Sequence, residues 1–147
     1  MATNHRFMPV APEAIWGALA DPEGYGYWVV GSKTIRDADN DFPAPGTKLH
    51  HTIGFGPLTL DDHTEVLAAE APRLLRMRAK GRPLGTATVE LELEPADGGT
   101  RVRMTENPDG PLSPLKFFPP LHLATRLRNA ESLMRLEELA LRGSEGS

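Results

Sequence analysis

The chain contains no cysteine. That removes disulfides, thiol nucleophiles and zinc–thiolate sites together, and it suits a reducing compartment. Basic charge is in deficit: 16 Lys and Arg against 20 Asp and Glu leave a net charge of −4. No basic stripe stands out, which argues against a nucleic acid as partner. No window approaches the length of an apolar membrane span, and MATNHRFMPVAPE lacks the apolar run of a signal peptide. The chain therefore reads as soluble and cytoplasmic, without membrane insertion. The GxGxxG, P-loop and GxSxG motifs are all missing, and no cofactor is expected.

What is present suits one domain over residues 1–147, with 143–147 as a frayed tail. The prolines and glycines, 14 of each, fall between periodic segments and mark turns. A short extended segment, Arg6 to Val10, precedes a helix opened by Pro12, with Ile15, Trp16 and Leu19 on its apolar face. Asp21-Pro22-Glu23 starts a second short helix that ends near Tyr27 and Trp28. Strands are then expected over Lys33–Ala38, Thr47–Gly54, Leu58–Ala69, Leu74–Lys80, Thr86–Glu94 and Thr100–Glu106. The Asp97-Gly98-Gly99 turn joins the last two as a hairpin. Pro119-Pro120 can open a helix but not sit inside one. From Leu121 to Leu141 the period is helical, with Leu123, Leu127, Ala130, Leu133, Met134 and Leu136 on one broad stripe, and Arg142-Gly143 as its stop. Hairpin-length connections require antiparallel pairing. The apolar face of such a sheet needs cover, and the long C-terminal helix is the only element large enough to supply it. The class is α+β, with a curved antiparallel sheet wrapped on that helix.

Several pieces, in this order, resemble the START and pollen-allergen-like superfamily (SRPBCC), and within it the polyketide cyclase/dehydrase and lipid-transport group. They are Pro12-Glu13-Ala14-Ile15-Trp16 through Leu19, Asp21-Pro22 with Trp28, Gly46-Thr47, and Glu65-Val66 before Pro72-Arg73-Leu74. The Gly98-Gly99-Thr100-Arg101-Val102 hairpin and the helix Arg128-Asn129-Ala130-Glu131-Ser132-Leu133 complete the set. The resemblance covers nearly the whole chain. It implies a helix-grip fold, in which a seven-stranded antiparallel sheet curls around the long helix, two short helices follow the first strand, and a cavity lies between sheet and helix. It also implies hydrophobic small-molecule ligands such as lipids and polyketides. It carries no universal catalytic residue onto this chain.

The stretch HHTIGFGPLTLDDH, His50 to His63, holds three of the five histidines. Neighbours on a strand point to opposite faces. His51 shares the side of Leu49, Ile53 and Phe55, while His50 shares that of Lys48 and Thr52. On the next strand Asp62 shares the side of Leu58, Leu60, Thr64 and Val66. A four-residue turn then pairs His51 with Asp62 and His50 with His63. The outer pair offers too few ligands for a structural zinc, and no metal is expected. The inner pair reads as a satisfied structural contact at a cavity rim, or as a polar anchor or general base.

Leu75, Met77, Ala79, Val89, Leu91 and Met104 are expected to line the concave face. Glu106 follows Met104 on the same side: it points into the cavity near its mouth, or it is a strand-end carboxylate in water. Phe117, Phe118 and Leu121 close one end; Trp28 is a candidate lid residue. His122, Arg126, Asn129 and Leu133 lie at helical spacing toward the cavity. Asn129 is a mid-helix amide placed to bond a ligand, or only the covering sheet. Arg76, Arg78, Arg101 and Arg103 should meet Glu90, Glu92 and Glu94 on the outer face.

Three functions fit these residues. The first is binding of a hydrophobic small molecule without chemistry. The second is a cyclase or dehydratase, a cofactor-free lyase or isomerase in which His51 and Asp62, helped by Glu106, serve as acid–base groups. The third is a protein-interaction subunit. A homodimer stays open.

Overall fold

The computed structural model describes residues 2–29, 32–55, 58–81, 85–108 and 119–145. Side chains are described for these except residues 32–36, 51–55, 58–62, 80–81, 85, 119–121 and 144–145.

Strand β1 (Ala2–Met8) is followed by helix α1 (Pro12–Leu19), a 3₁₀ turn at Pro22–Gly24 and helix α2 (Tyr25–Trp28). Pro12 sits in the first turn of α1, where its missing N–H costs nothing. The Asp21 side chain accepts from the Glu23 N–H at 3.1 Å and starts the 3₁₀ turn. Six strands follow: β2 (Ser32–Ala38), β3 (Lys48–Phe55), β4 (Leu58–Glu70), β5 (Leu74–Gly81), β6 (Gly85–Ala96) and β7 (Gly99–Pro108). Helix α3 (Pro119–Glu145) closes the order.

The sheet is antiparallel with strand order β1-β7-β6-β5-β4-β3-β2. Each strand from β2 to β7 pairs with its predecessor or successor, as hairpins must. Only β1 travels, to lie beside β7. The two short helices fill the connection from β1 at one edge to β2 at the other. This is a helix-grip fold, as the sequence resemblance implied.

Register fixes which residues share the concave face. Asn4 pairs with Met104, Met104 with Leu91, and Leu91 with Leu75. Ala2 pairs with Glu106, Glu106 with Val89, and Val89 with Met77. Leu75, Met77, Leu91 and Met104 are buried along these rows, with Leu49, Val66, Leu93 and Val102 beside them. Between β3 and β4 the register sets His51 opposite Asp62 and His50 opposite His63.

On the convex face Glu90 accepts from Arg76 at 3.0 Å, and Glu92 pairs with Arg103. The acidic alternation of β6 is a solvated face laced to the arginines of its neighbours. The hairpin Asp97-Gly98 turns with Gly98 at φ 80°, a value that suits glycine.

Helix α3 requires two corrections. Its sheet-facing stripe consists of Asn129, Ser132, Leu133, Leu136 and Ala140, all buried. Leu123, Leu127 and Met134 are exposed, at 57%, 64% and 38%, and Ala130 is exposed with them. The expected broad stripe thus divides, and only Leu133 and Leu136 reach the core. The helix also runs through Gly143 to Glu145, two residues past the expected stop. Gly143 does not take the positive φ that would end the helix, which among the described glycines only Gly46 and Gly98 adopt.

Candidate functional site

The concave wall is apolar by composition and by burial. Leu49, Val66, Leu75, Met77, Leu91 and Met104 are each 5% exposed or less. Removing such side chains from water supplies the main favourable term of the fold. The backbone of α3 approaches the rest of the chain most closely at α1, α2 and β1. The helix therefore crosses the sheet nearest its β1 edge.

Aromatic residues pack into the same apolar cluster. Tyr25 and Trp28 are buried, with ring centroids 4.9 Å apart and planes tilted by 58°. Phe42 meets Tyr25 edge-on at 5.4 Å. The Tyr25 hydroxyl donates to the Leu19 carbonyl at 2.6 Å and lies 3.9 Å from the Met77 sulfur. Burial, and secondarily the charge of Asp21, pushes the Tyr25 phenol far above its ordinary range, so it stays neutral. Trp28 was expected to serve as a lid. At 1% exposure and packed on Tyr25, it belongs to the core instead.

Helix α2 is tied to α3 from outside. Tyr27 donates to the Glu138 carboxylate, and the Arg135 guanidinium donates to the Tyr27 carbonyl at 3.1 Å. Arg135 and Arg142 lie over the Tyr27 ring, 5.5 and 5.9 Å from its centroid. The hydrogen bond to Glu138 raises the Tyr27 pKa.

Among the described residues, polar groups reach the covered side of the sheet from few directions. Glu106 is on the inward-facing rows, its side chain 12% exposed and ion-paired with Arg128 of α3. It is a partnered carboxylate, not one standing in water. Asn4 also shares the inward rows and donates from Nδ2 to the Arg126 carbonyl at 3.0 Å. Among the described residues three polar atoms are shut from solvent with no hydrogen-bond partner: Asn4 Oδ1, Trp28 Nε1 and Asn129 Nδ2. Asn129 as a whole is 1% exposed. A buried polar atom left unpaired costs roughly 1–3 kcal/mol, so each such atom calls for an explanation.

Most sequence-predicted residues are brought together. Leu49, Thr64, Leu75, Met77, Leu91, Met104, Asn129 and Leu133 are buried, Val89 packs on the same cluster, and Glu106 stands among them. His122 is half-buried at the start of α3. Arg126 requires correction: it is exposed, although it shares its side of the helix with buried Asn129 and Leu133. The side chains of His51, Ile53, Phe55, Leu60, Asp62 and Phe118 lie outside the described residues. His50 and His63 stand with ring centroids 6.3 Å apart, and His50 Nε2 is 4.0 Å from Asp39. Among the described residues no three His, Asp or Glu side chains converge as metal ligands.

Sequence reasoning missed Asn4, Tyr25 and Phe42. Asn4 was lost because β1 was expected to begin at Arg6. Its parity with Arg6 and Met8, apparent once the strand is extended backward, is the signal that finds it.

With this geometry in place, comparison with known proteins is decisive at the family level. The model of the polyketide cyclase/dehydrase and lipid transport family matches residues 2–140. The chain belongs to that family. No curated protein matches the sequence. Solved structures share the family's fold at low identity. A Rhodobacter sphaeroides protein is 21% identical, with 95% of this chain and 91% of that one covered and a TM-score of 0.74. The Mesorhizobium loti protein MLL2253 is 21% identical over 96% of both chains, with a TM-score of 0.70. Ara h 8.0201 is 16% identical, covering 95% of this chain and 96% of its own, with a TM-score of 0.74. Family membership supports hydrophobic ligand binding in general. Among the described residues no helix is long and apolar enough to cross a membrane.

Proposed function

We propose that this chain is a single ligand-binding domain that holds a hydrophobic small molecule between the concave face of the sheet and α3. One observation carries the reading: the apolar, buried concave side holds buried donors with no hydrogen-bond partner, Trp28 Nε1 and Asn129 Nδ2. A plain core would satisfy such donors or replace them. A pocket for an apolar molecule keeps a few placed polar groups to orient it. The family's lipid-transport description points the same way. The protein would act in the cytoplasm and without a cofactor. Native mass spectrometry of gently purified protein, followed by denaturing extraction, tests the reading. A bound apolar molecule at one per chain is the expected result, or saturable uptake of an apolar fluorophore by protein isolated empty. Failure of both sinks it.

A second reading has its own support. The β3–β4 register sets His51 opposite Asp62, which suits an acid–base pair in cyclase or dehydratase chemistry on a polyketide-like ketone. Turnover of such a ketone should fall at least a hundredfold in His51→Ala and in Asp62→Asn. Unchanged turnover in both variants ends this mechanism.

A further inference from the structure

Where β1 passes the first half of α3, two carboxamides each keep one buried, unpaired atom. Asn4 anchors its Nδ2 on the Arg126 carbonyl and leaves Oδ1 buried and unpaired. Asn129 lies three residues along the same helix, one turn from that carbonyl, and its Nδ2 is buried and unpaired. Side chains on a helix lean toward its N-terminus, so Asn129 leans toward the turn that Asn4 holds. One free acceptor and one free donor thus face the same locality without bonding each other.

The charges nearby are already spent. Glu106, paired in register with Ala2 two residues before Asn4, holds Arg128 in an ion pair. No uncompensated cation from the described residues joins the two amides: the Arg126 side chain points outward, and Arg6 is bound to Glu137 at 3.2 and 3.3 Å. Beyond the amides the rows continue as Met104, Leu91 and Leu75.

We infer that Asn4 and Asn129 form a neutral head-group site that takes a hydroxyl, accepting from Asn129 Nδ2 and donating to Asn4 Oδ1, at the end of an apolar ligand. This rests on the ligand-binding reading above and names the ligand class within it. A carboxylate is disfavoured because it sets two acceptor oxygens against Asn4 Oδ1, beside Glu106, with no free cation among the described residues to offset them. An ether or ketone satisfies Asn129 alone and leaves Asn4 unpaired. An alkane leaves both unpaired.

The test compares 1-dodecanol, its methyl ether and dodecanoate as competitors of an apolar fluorophore on the full chain. The alcohol should bind about tenfold tighter than the ether, the worth of one buried hydrogen bond, and tighter again than the carboxylate. In Asn4→Ala the alcohol's advantage over the ether should vanish while the ether's own affinity holds, whereas in Asn129→Leu alcohol and ether should both weaken, by about tenfold each. Asn4→Ala keeps the test open if the mid-helix variant fails to fold. In the native protein, the side-chain amide resonances of Asn129 should shift with dodecanol and stay still with the ether-matched alkane. Equal binding of alcohol and ether overturns the head-group site and leaves the cavity reading standing. Tighter binding of the carboxylate also overturns it. Displacement of the fluorophore by none of the three overturns the cavity reading and the head-group site with it.

Discussion

Tyr25 reaches back six residues to the Leu19 carbonyl, so the end of α1 and the start of α2 are held together by a buried phenol at 2.6 Å. That bond ties the connection between β1 and β2 to the core, where Trp28 and Phe42 pack on the same ring.

A pH dependence follows from it. The folded chain keeps the phenol protonated well beyond 10.0, while the unfolded chain loses the proton there. Above that pH the folded state binds more protons than the unfolded one, so stability falls as pH rises. Below it the contribution is undiminished. Urea unfolding from pH 8 to 11 should show a loss above pH 10 approaching ~1.4 kcal/mol per pH unit from this group. Tyr25→Phe should lack that component and be less stable at pH 8 by about 1 kcal/mol for the lost hydrogen bond. An identical alkaline slope in the variant would contradict the assignment.

Gly99 follows the β6–β7 turn under the end of β1. A Cβ built there would stand 2.1 Å from the Met8 carbonyl oxygen and 2.9 Å from the Pro9 Cα. Both obstacles are backbone, so neither can swing aside. Gly99→Ala should cost on the order of 2 kcal/mol or more, whereas Gly17→Ala, at a helical position with open space around it, should be neutral or stabilising. Thermal melts of the two variants make the comparison directly.

Exposed charge pairs predict the opposite kind of result. Arg76 and Glu90 meet at 3.0 Å with side chains 43% and 27% exposed. Solvent screens such a pair, and Glu90→Gln should change stability by no more than ~0.5–1 kcal/mol, with the difference shrinking in high salt. A loss several times larger would mean that the convex face is covered in solution.

The sheet was legible because alternation has a period of two and its hairpin turns are short. Parity then settles which face each residue takes, and the same logic sets His51 opposite Asp62, as the register has it. The polar start of β1, Thr3-Asn4-His5, carried no apolar alternation, and so Asn4 escaped notice. The helix was less legible. On α3 a leucine-rich stripe and a mixed stripe compete, and hydrophobicity alone favours the wrong one. Asn129 and Ser132 are buried on the mixed stripe while Leu123 and Leu127 face out. That inversion is decided by contacts with α1, α2 and β1, which no local period records. The polar site inherits both effects. One of its amides was expected as a mid-helix oddity, and its partner lay on a strand whose start was unread.

The rotation of α3 can be measured by substitution. Leu127 is 64% exposed and Leu133 1% exposed, six residues apart on one helix. Leu127→Gln removes an apolar side chain that is already in water and keeps a good helix former, so stability should move by no more than about 0.5 kcal/mol. Leu133→Ala leaves a cavity against the sheet and should cost ~2–5 kcal/mol. Urea midpoints with unchanged slopes would report the two effects cleanly. Comparable losses at both positions would mean that the leucine stripe is covered in solution, either by a different rotation of α3 or by a second chain, and sedimentation of the Leu127→Gln variant against the parent separates these: only a second chain changes the mass.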